Sequence, residues 1–318
     1  MLASVKKEII KSAFRALGTE ILIQIAVNAS EKEKAGKDIE KAKEIYRQKE
    51  KIFSRFDPES EMSRLNQNLG VWQNASPDIL YLSQRILEYG KISGGLYDPR
   101  IVEILEKIGY DKDFRSLDFA NKKSGADFDP INSDLAEDLK IDGGKIFFGR
   151  RMDFSGVAKG YITDCATKFL KESGWENFLA DSGGDMYAAG KNAEGEDWKI
   201  EVEGADPEKL MLEISERGVA TSGISRKKWE IAGKKYHHLV NPKNPNEYSY
   251  ELRTVSVISE NVENADGRAK TLVLMGKEKG FDFAEQNKIA AVFLDYRGDI
   301  NITSEAKKFV SPEHSMFG

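Results

Sequence analysis

The residues best able to do chemistry sit in four short clusters. The densest is Asp153-Phe-Ser-Gly-Val-Ala-Lys-Gly-Tyr161, with Asp164 just beyond it. A strand ending in an acid, then small residues that open a helix, brings free backbone N–H groups and the positive end of the helix dipole to one place. Gly156 lets a ligand approach the backbone there, and Lys159 in the first turn adds a mobile cation. That combination suits a pyrophosphate, and an ordinary capped helix start has the same sequence. The second cluster, Ala180-Asp-Ser-Gly-Gly-Asp185, follows a short apolar strand. Gly183 and Gly184 supply positive φ or room for a ring or phosphate, and a plain hairpin turn asks for the same residues.

The third cluster, Lys235-Tyr-His-His-Leu-Val-Asn-Pro242, holds two of the chain's three histidines side by side. Neighbours in an extended segment point to opposite faces. One histidine can therefore enter a cleft and take a proton from an attacking hydroxyl, while the other packs or faces out. Val219-Ala-Thr-Ser-Gly223 lies just upstream, and its hydroxyls, Thr221 among them, either bind a substrate or cap a turn. In the fourth cluster, Ala265-Asp-Gly-Arg-Ala269 begins an otherwise apolar helix. Asp266 reads first as the helix cap, and second as a hard oxygen ligand for Mg²⁺. The chain contains neither GxGxxG nor GxxxxGK[ST], which removes the usual support for a Rossmann or P-loop site.

These clusters belong to a chain of 318 residues, enough for one large domain or two packed subdomains at roughly 150 residues each. With 48 basic and 53 acidic residues the net charge is −5, which argues against a dedicated nucleic-acid binder. A single cysteine, Cys165, excludes an internal disulfide framework and any cysteine-cluster metal site. Three histidines, His237, His238 and His314, leave no histidine-rich zinc site. No stretch approaches the ~20 apolar residues of a membrane span. Lys6, Lys7, Glu8 and Lys11 near the start have no apolar run behind them, so a cytoplasmic protein without export signal or lipid anchor is expected.

Several elements must position the clusters. Residues 13–27 read as a strand pair-former and 31–53 as a long amphipathic helix. Ser76-Pro77 opens a second helix over 78–93, closed by Gly94 and Gly95. A third helix spans 156–173, with Val157, Tyr161, Cys165 and Phe169 as its apolar stripe. Strands are expected at 178–180, 198–202, 211–214, 218–221, 227–231 and 253–258. A mostly apolar helix over 265–275 and a hairpin through 290–299 complete the chain, and 111–150 stays unassigned. Strands outnumber a βαβ rhythm, so the fold class is α+β rather than doubly wound.

Taken in order, the motifs are more specific than any one alone. They are Leu17-Gly-Thr19; residues 53–66, FSRFDPESEMSRLN; residues 94–99, GGLYDP; the Asp153 to Tyr161 run with Asp164; residues 182–185, SGGD; residues 220–223, ATSG; residues 237–242, HHLVNP; and Ala265-Asp266. In this order, over about residues 13–300, the chain resembles the ApbE family of FAD:protein FMN transferases. The resemblance implies one ApbE-like, T-fold-related α+β domain over residues 1–318, with mixed sheets, packed helices and an FAD cleft between the parts. It implies Mg²⁺-dependent cleavage of the FAD pyrophosphate and transfer of FMN to a Thr or Ser of an acceptor protein, releasing AMP. The other readings are an FAD-binding protein without transfer and a metal-dependent FAD pyrophosphatase yielding FMN and AMP. Other members work in the periplasm or carry a membrane anchor.

By matched position, the resemblance gives catalytic roles to His238, Asp266 and Lys159. It lines the flavin nucleotide site with Leu17, Phe56, Leu96, Tyr97, Asp98, Asp153 and Lys159. Tyr161, Gly183, Gly184, Asp185, Thr221, His238 and Leu239 complete that lining. The magnesium site maps to the Gly156 carbonyl, Asp266 and the place of Lys270. Here the chain departs from the family, which usually reads Ala-Asp-x-x-x-Thr. Lys270 stands where the threonine ligand belongs, and Thr271 comes one place late. The ammonium either stands in for the cation or repels it. Asn241 replaces the usual acid before the proline, and Ile224-Ser225 replaces an acid or Asn followed by Tyr.

Overall fold

A computed structural model of the chain describes residues 7–117 and 127–313. Lys6 and His314 lie outside the described residues. The chain opens on a hairpin of β1 (Glu8–Ala16) and β2 (Thr19–Val27), with Ile21, Ile23 and Ile25 buried at every second position. Its two-residue turn needs positive φ at both places, met by Leu17 at 54° and Gly18 at 69°. Glycine adopts that conformation freely, whereas a leucine there is strained. The Leu17 N–H is held by Glu50 Oε1 at 2.7 Å. Glu50 belongs to α1 (Lys32–Phe53), which turns Ala35, Ile39, Ala42 and Tyr46 inward at helical spacing.

After α2 (Glu61–Gln67) and β3 (Trp72–Asn74), Ser76 caps α3 (Pro77–Ile92) by accepting from the Ile79 N–H. The short α4 (Val102–Lys107) follows. The unassigned stretch supplies α5 (Leu135–Asp138), β4 (Leu139–Asp142) and β5 (Lys145–Phe148), with β5 pairing between β3 and β4. Each is four residues long, too short for a periodicity to register.

Next come α6 (Ser155–Glu172) and the hairpin of β6 (Phe178–Asp181) with β7 (Met186–Ala189). The chain continues through β8 (Trp198–Glu201), β9 (Met211–Ile214), β10 (Arg217–Gly223), β11 (Lys228–Ile231), β12 (Lys234–His237) and β13 (Leu252–Ser259). It closes with α7 (Val262–Met275), α8 (Lys277–Gln286), β14 (Ala290–Asp295) and β15 (Ile300–Ile302). The main sheet runs β1-β2-β6-β7-β10-β13-β14-β15, and every pairing in it is antiparallel. This is the expected α+β class.

The central strands are buried on both faces. On β14, Ala291 and Phe293 join the core under α7 and α8, while Ala290 and Val292 join the core under β8 and β9. The period of two thus divides one strand between two cores, and each large apolar side chain so buried contributes roughly 1.5–3 kcal/mol. Among the described residues no helix is long and apolar enough to cross a membrane.

Two sequence expectations need correction. The buried face of α6 runs through Val157, Ala158, Ile162, Ala166 and Leu170, while Tyr161, Cys165 and Phe169 sit half-buried at its margin. The expected row lies one residue out from Ala158, Ile162, Ala166 and Leu170, a rotation of about 100° on a 3.6-residue helix, so beyond Val157 it followed the edge and not the face. The last long helix begins at Val262, not at 265, and Asn261 is its cap, accepting from the Asn264 N–H at 2.8 Å. Asp266 therefore lies one turn inside the helix and is no cap.

Candidate active site

Helices α6 and α7 cross closely because Gly160 has no side chain. A Cβ there would come 2.8 Å from the Glu263 Cα. Asp164, one turn further along α6, accepts from the Val262 and Glu263 N–H groups at 2.9 Å each, fastening the start of α7. Burial, with Glu263 nearby, nevertheless pushes the Asp164 carboxyl up to about 7. The crossing sets Lys159 and Gly156 of α6 facing Asp266 and Lys270 of α7. These residues line a cleft of about 790 Å³. That is toward the upper end of the ~300–1,000 Å³ usual for ligand sites.

The cleft gathers most of the expected lining. Leu17, Phe56, Leu96, Tyr97, Asp98, Asp153, Gly183, Thr221, His238 and Leu239 all border it with Lys159 and Gly156. The strained Leu17 turn is thus part of its wall. Tyr161, Gly184 and Asp185 do not border it. The Tyr161 hydroxyl donates to Asp78 at 2.7 Å and its ring stacks on Tyr81, both on α3 and away from the cleft. Gly184 gives its N–H to Asp181, completing the hairpin turn, and Asp185 lies behind the surface as the partner of Lys159.

Lys159 is consequently pinned rather than mobile. Burial disfavours its ammonium, but Asp185 and Asp266 outweigh that and raise its pKa. Behind this pair a hydroxyl chain ties three elements: Tyr46 to Ser182 at 3.0 Å, Ser182 to Thr163 at 2.7 Å, and Thr163 donating to the Lys159 carbonyl at 2.8 Å. Asp153 does not end a strand. It sits in the link before α6, its N–H held by the Pro99 carbonyl at 2.9 Å, and its Oδ1 accepts at 2.9 Å from the N–H of Ser155, the first residue of that helix. The space over Gly156 is taken by the Tyr97 phenol, since a Cβ there would lie 2.7 Å from Tyr97 Oη. Asp98 is committed to Arg100, which grips both its carboxylate oxygens at 2.7–3.2 Å. Thr221 shares a 2.7 Å hydroxyl contact with Ser256.

The histidine pair splits, with His237 ending β12 and His238 in the bend that follows it. His237 packs edge-on against Tyr248 and Tyr250, with Nε2 3.0 Å from the Ser249 carbonyl. Burial pushes it down to about 4. His238 borders the cleft, its Nδ1 3.4 Å from the Lys227 carbonyl. A carbonyl only accepts, which assigns the proton to Nδ1 and leaves the Nε2 lone pair free. Burial, reinforced by Lys227, Lys270 and His237, holds the imidazole well below its usual range, so it is neutral at pH 7.

Arg55, Lys227 and Glu203 are among the cleft residues that were given no role from sequence. Arg55 forms a buried 3.0 Å ion pair with Asp153 and lies 4.0 Å over the Phe56 ring, fixing both. It stood within the quoted Phe53 to Asn66 run, which was the available signal. Lys227 borders the cleft and is pushed down to about 8 by burial, with repulsion from Lys159. Glu203 joins it, bonded to Ser225 and 3.1 Å from Arg226. Neither belongs to any motif.

The oxygens matched to magnesium are engaged. Lys270 Nζ donates to the Gly156 carbonyl at 2.8 Å and lies 3.6 Å from Asp266 Oδ1. Thr271, one place late, donates back to the Gly267 carbonyl at 2.9 Å on the buried side of α7. Asp266 Oδ2 is buried without a hydrogen-bond partner, the one feature a metal would satisfy. A small octahedral dication needs lone pairs at ~2.1 Å, and lysine offers three donors and no acceptor. The donor set as arranged does not fit Mg²⁺.

Comparison with known proteins matches the ApbE family pattern to residues 17–293. An FAD:protein FMN transferase of Haemophilus influenzae is 26% identical over 313 residues, covering 94% of this chain and 90% of that protein. Another from Vibrio cholerae is 27% identical over 258 residues, 76% of this chain and 74% of that one. In fold, the chain is similar to the apo flavinyl transferase ApbE of Pseudomonas stutzeri, with a TM-score of 0.79 at 22% identity over 97% and 98% of the two chains. The ApbE protein of Thermotoga maritima gives 0.81 at 20% identity over 96% and 100%.

Proposed function

The chain belongs to the ApbE family, and on that premise we propose that it is an FAD:protein FMN transferase whose acceptor group is a Thr or Ser hydroxyl. The FAD diphosphate lies against the start of α6 and the Lys159 ammonium. The acceptor hydroxyl oxygen attacks the flavin-side phosphorus, the bond from that phosphorus to the bridging oxygen breaks, and AMP leaves with that oxygen. The hydroxyl proton passes to His238 Nε2. A positioned base of this kind contributes about 10²–10⁴-fold. The observation that carries the reading is His238, neutral and with Nε2 unblocked, bordering the same cleft as Lys159. No step is assigned to magnesium, because Lys270 already bonds the Gly156 carbonyl and sits beside Asp266.

One observation favours a second reading, in which FAD is bound and not cleaved. With Lys270 pairing Asp266, the site has fewer free charges for a leaving phosphate. Incubation with FAD and a threonine-bearing acceptor separates the two. In-gel flavin fluorescence on the acceptor together with released AMP supports transfer. Retained FAD without AMP supports storage, and AMP with free FMN points to hydrolysis.

A further inference from the structure

We propose that Lys270 is the resident cation of this site, a tethered ammonium that takes the place of a divalent ion, so that this chain handles the FAD diphosphate without magnesium. The inference rests on the transferase reading for its substrate. Its geometry is independent of that reading. Lys270 Nζ sits 2.8 Å from the Gly156 carbonyl and 3.6 Å from Asp266 Oδ1, between the two oxygens that would ligate a metal. Its side chain is 17% exposed and that of Asp266 is 3% exposed, so the pair is shielded from screening by water. The third ligand position is filled by a residue with no lone pair to give, and Thr271 is turned into its own helix.

Charge supports the same assignment. Asp185 and Asp266 face Lys159 and Lys270, two acids against two cations, with Lys159 already bonded to Asp185. This cluster is neutral as it stands. A dication added among these groups would leave a net charge of +2 beside Lys227 and His238, where burial disfavours charge. Where a threonine replaces the lysine, the same cluster carries net −1 and calls for a metal. Lysine is a point charge on a flexible stem, so Lys270 can also turn toward a phosphate oxygen while Asp266 holds it near.

The test uses the full-length protein with Mn²⁺ as the spectroscopic probe, since carboxylate and carbonyl sites that suit Mg²⁺ also take Mn²⁺. Electron paramagnetic resonance should find no Mn²⁺ site on the wild type and a one-to-one site on Lys270→Thr. FAD affinity by flavin fluorescence, and AMP release where it occurs, should agree within about twofold in EDTA and in Mg²⁺ for the wild type. Lys270→Thr should lose at least about tenfold in EDTA and recover with Mg²⁺. Lys270→Met, which removes the charge and adds no ligand, should lose about tenfold in FAD affinity under both conditions. A stoichiometric Mn²⁺ site on the wild type, a tenfold gain from Mg²⁺, or an indifferent Lys270→Met would each overturn the proposal. Failure of the wild type to bind FAD at all would sink the transferase reading instead, and the Mn²⁺ spectra would still decide the cation.

Discussion

The second turn of α6 and the third turn of α7 each present a lysine to the same cleft, and they hold it in opposite ways. Lys159 is secured by an acid from elsewhere, Asp185 at the end of the β6–β7 turn, with a chain of hydroxyls behind it. Lys270 is secured by an acid of its own helix, Asp266, and by a backbone carbonyl of the neighbouring one. The first arrangement follows an intact motif, so the cation is a fixture of the fold. The second replaces an oxygen ligand, so the cation substitutes for something the fold would otherwise recruit. Removing each lysine should accordingly fail differently: α6 should lose stability, and α7 should change its appetite for metal.

The largest effect is therefore expected at Lys159. Lys159→Ala leaves Asp185, 1% exposed, without its counter-charge. Stranding a buried charge in this way costs about 3–5 kcal/mol. Denaturant unfolding should show that loss, and adding Asp185→Asn should recover much of it without restoring FAD binding. A single mutant as stable as the wild type would break the contrast. Next in size is His238→Ala, which should slow transfer by about 10²–10⁴-fold and leave FAD affinity within about twofold. An unchanged rate would remove His238 as the base.

The neighbouring His237 supplies a pH test. Its folded pKa is depressed from 6.5 to about 4. Its contribution is therefore fully present above pH 6.5 and is lost as pH falls toward about 4, because the unfolded chain takes up a proton that the folded one refuses. The full loss is on the order of 3 kcal/mol. Urea midpoints should fall across that window in the wild type and flatten in His237→Phe, and an unaltered slope would assign the acid sensitivity elsewhere. The smallest effect is expected for Tyr161→Phe. It removes one hydrogen bond to Asp78, which Lys49 still pairs at 2.5 Å. About 1 kcal/mol of stability should go. FAD affinity should not change, and a tenfold loss would return Tyr161 to the cleft.

What the sequence made legible follows the same division. Helices α1, α3 and α6 announced themselves through long apolar periods and the Ser76-Pro77 start. The cleft lining came from motif order, and so did the choice of His238 over His237, since an extended segment says only that one of two neighbours faces the cleft. The four-residue elements between 111 and 150 carry too few positions for a period. Asp266 was misread as a cap because Asn261, four residues beyond the visible apolar run, carries no periodic signal. Arg55, Lys227 and the Lys270 contact with Gly156 depend on chain segments far apart in sequence, which no local pattern encodes.

The most direct test of the central claim is intact-mass spectrometry of a threonine-bearing acceptor after incubation with this protein and FAD, with AMP counted in the same sample. The account predicts that the acceptor gains the mass of one FMN group for each AMP released, and that His238→Ala nearly abolishes both. Bound FAD with neither AMP nor modified acceptor, across divalent metals and in EDTA, would contradict it.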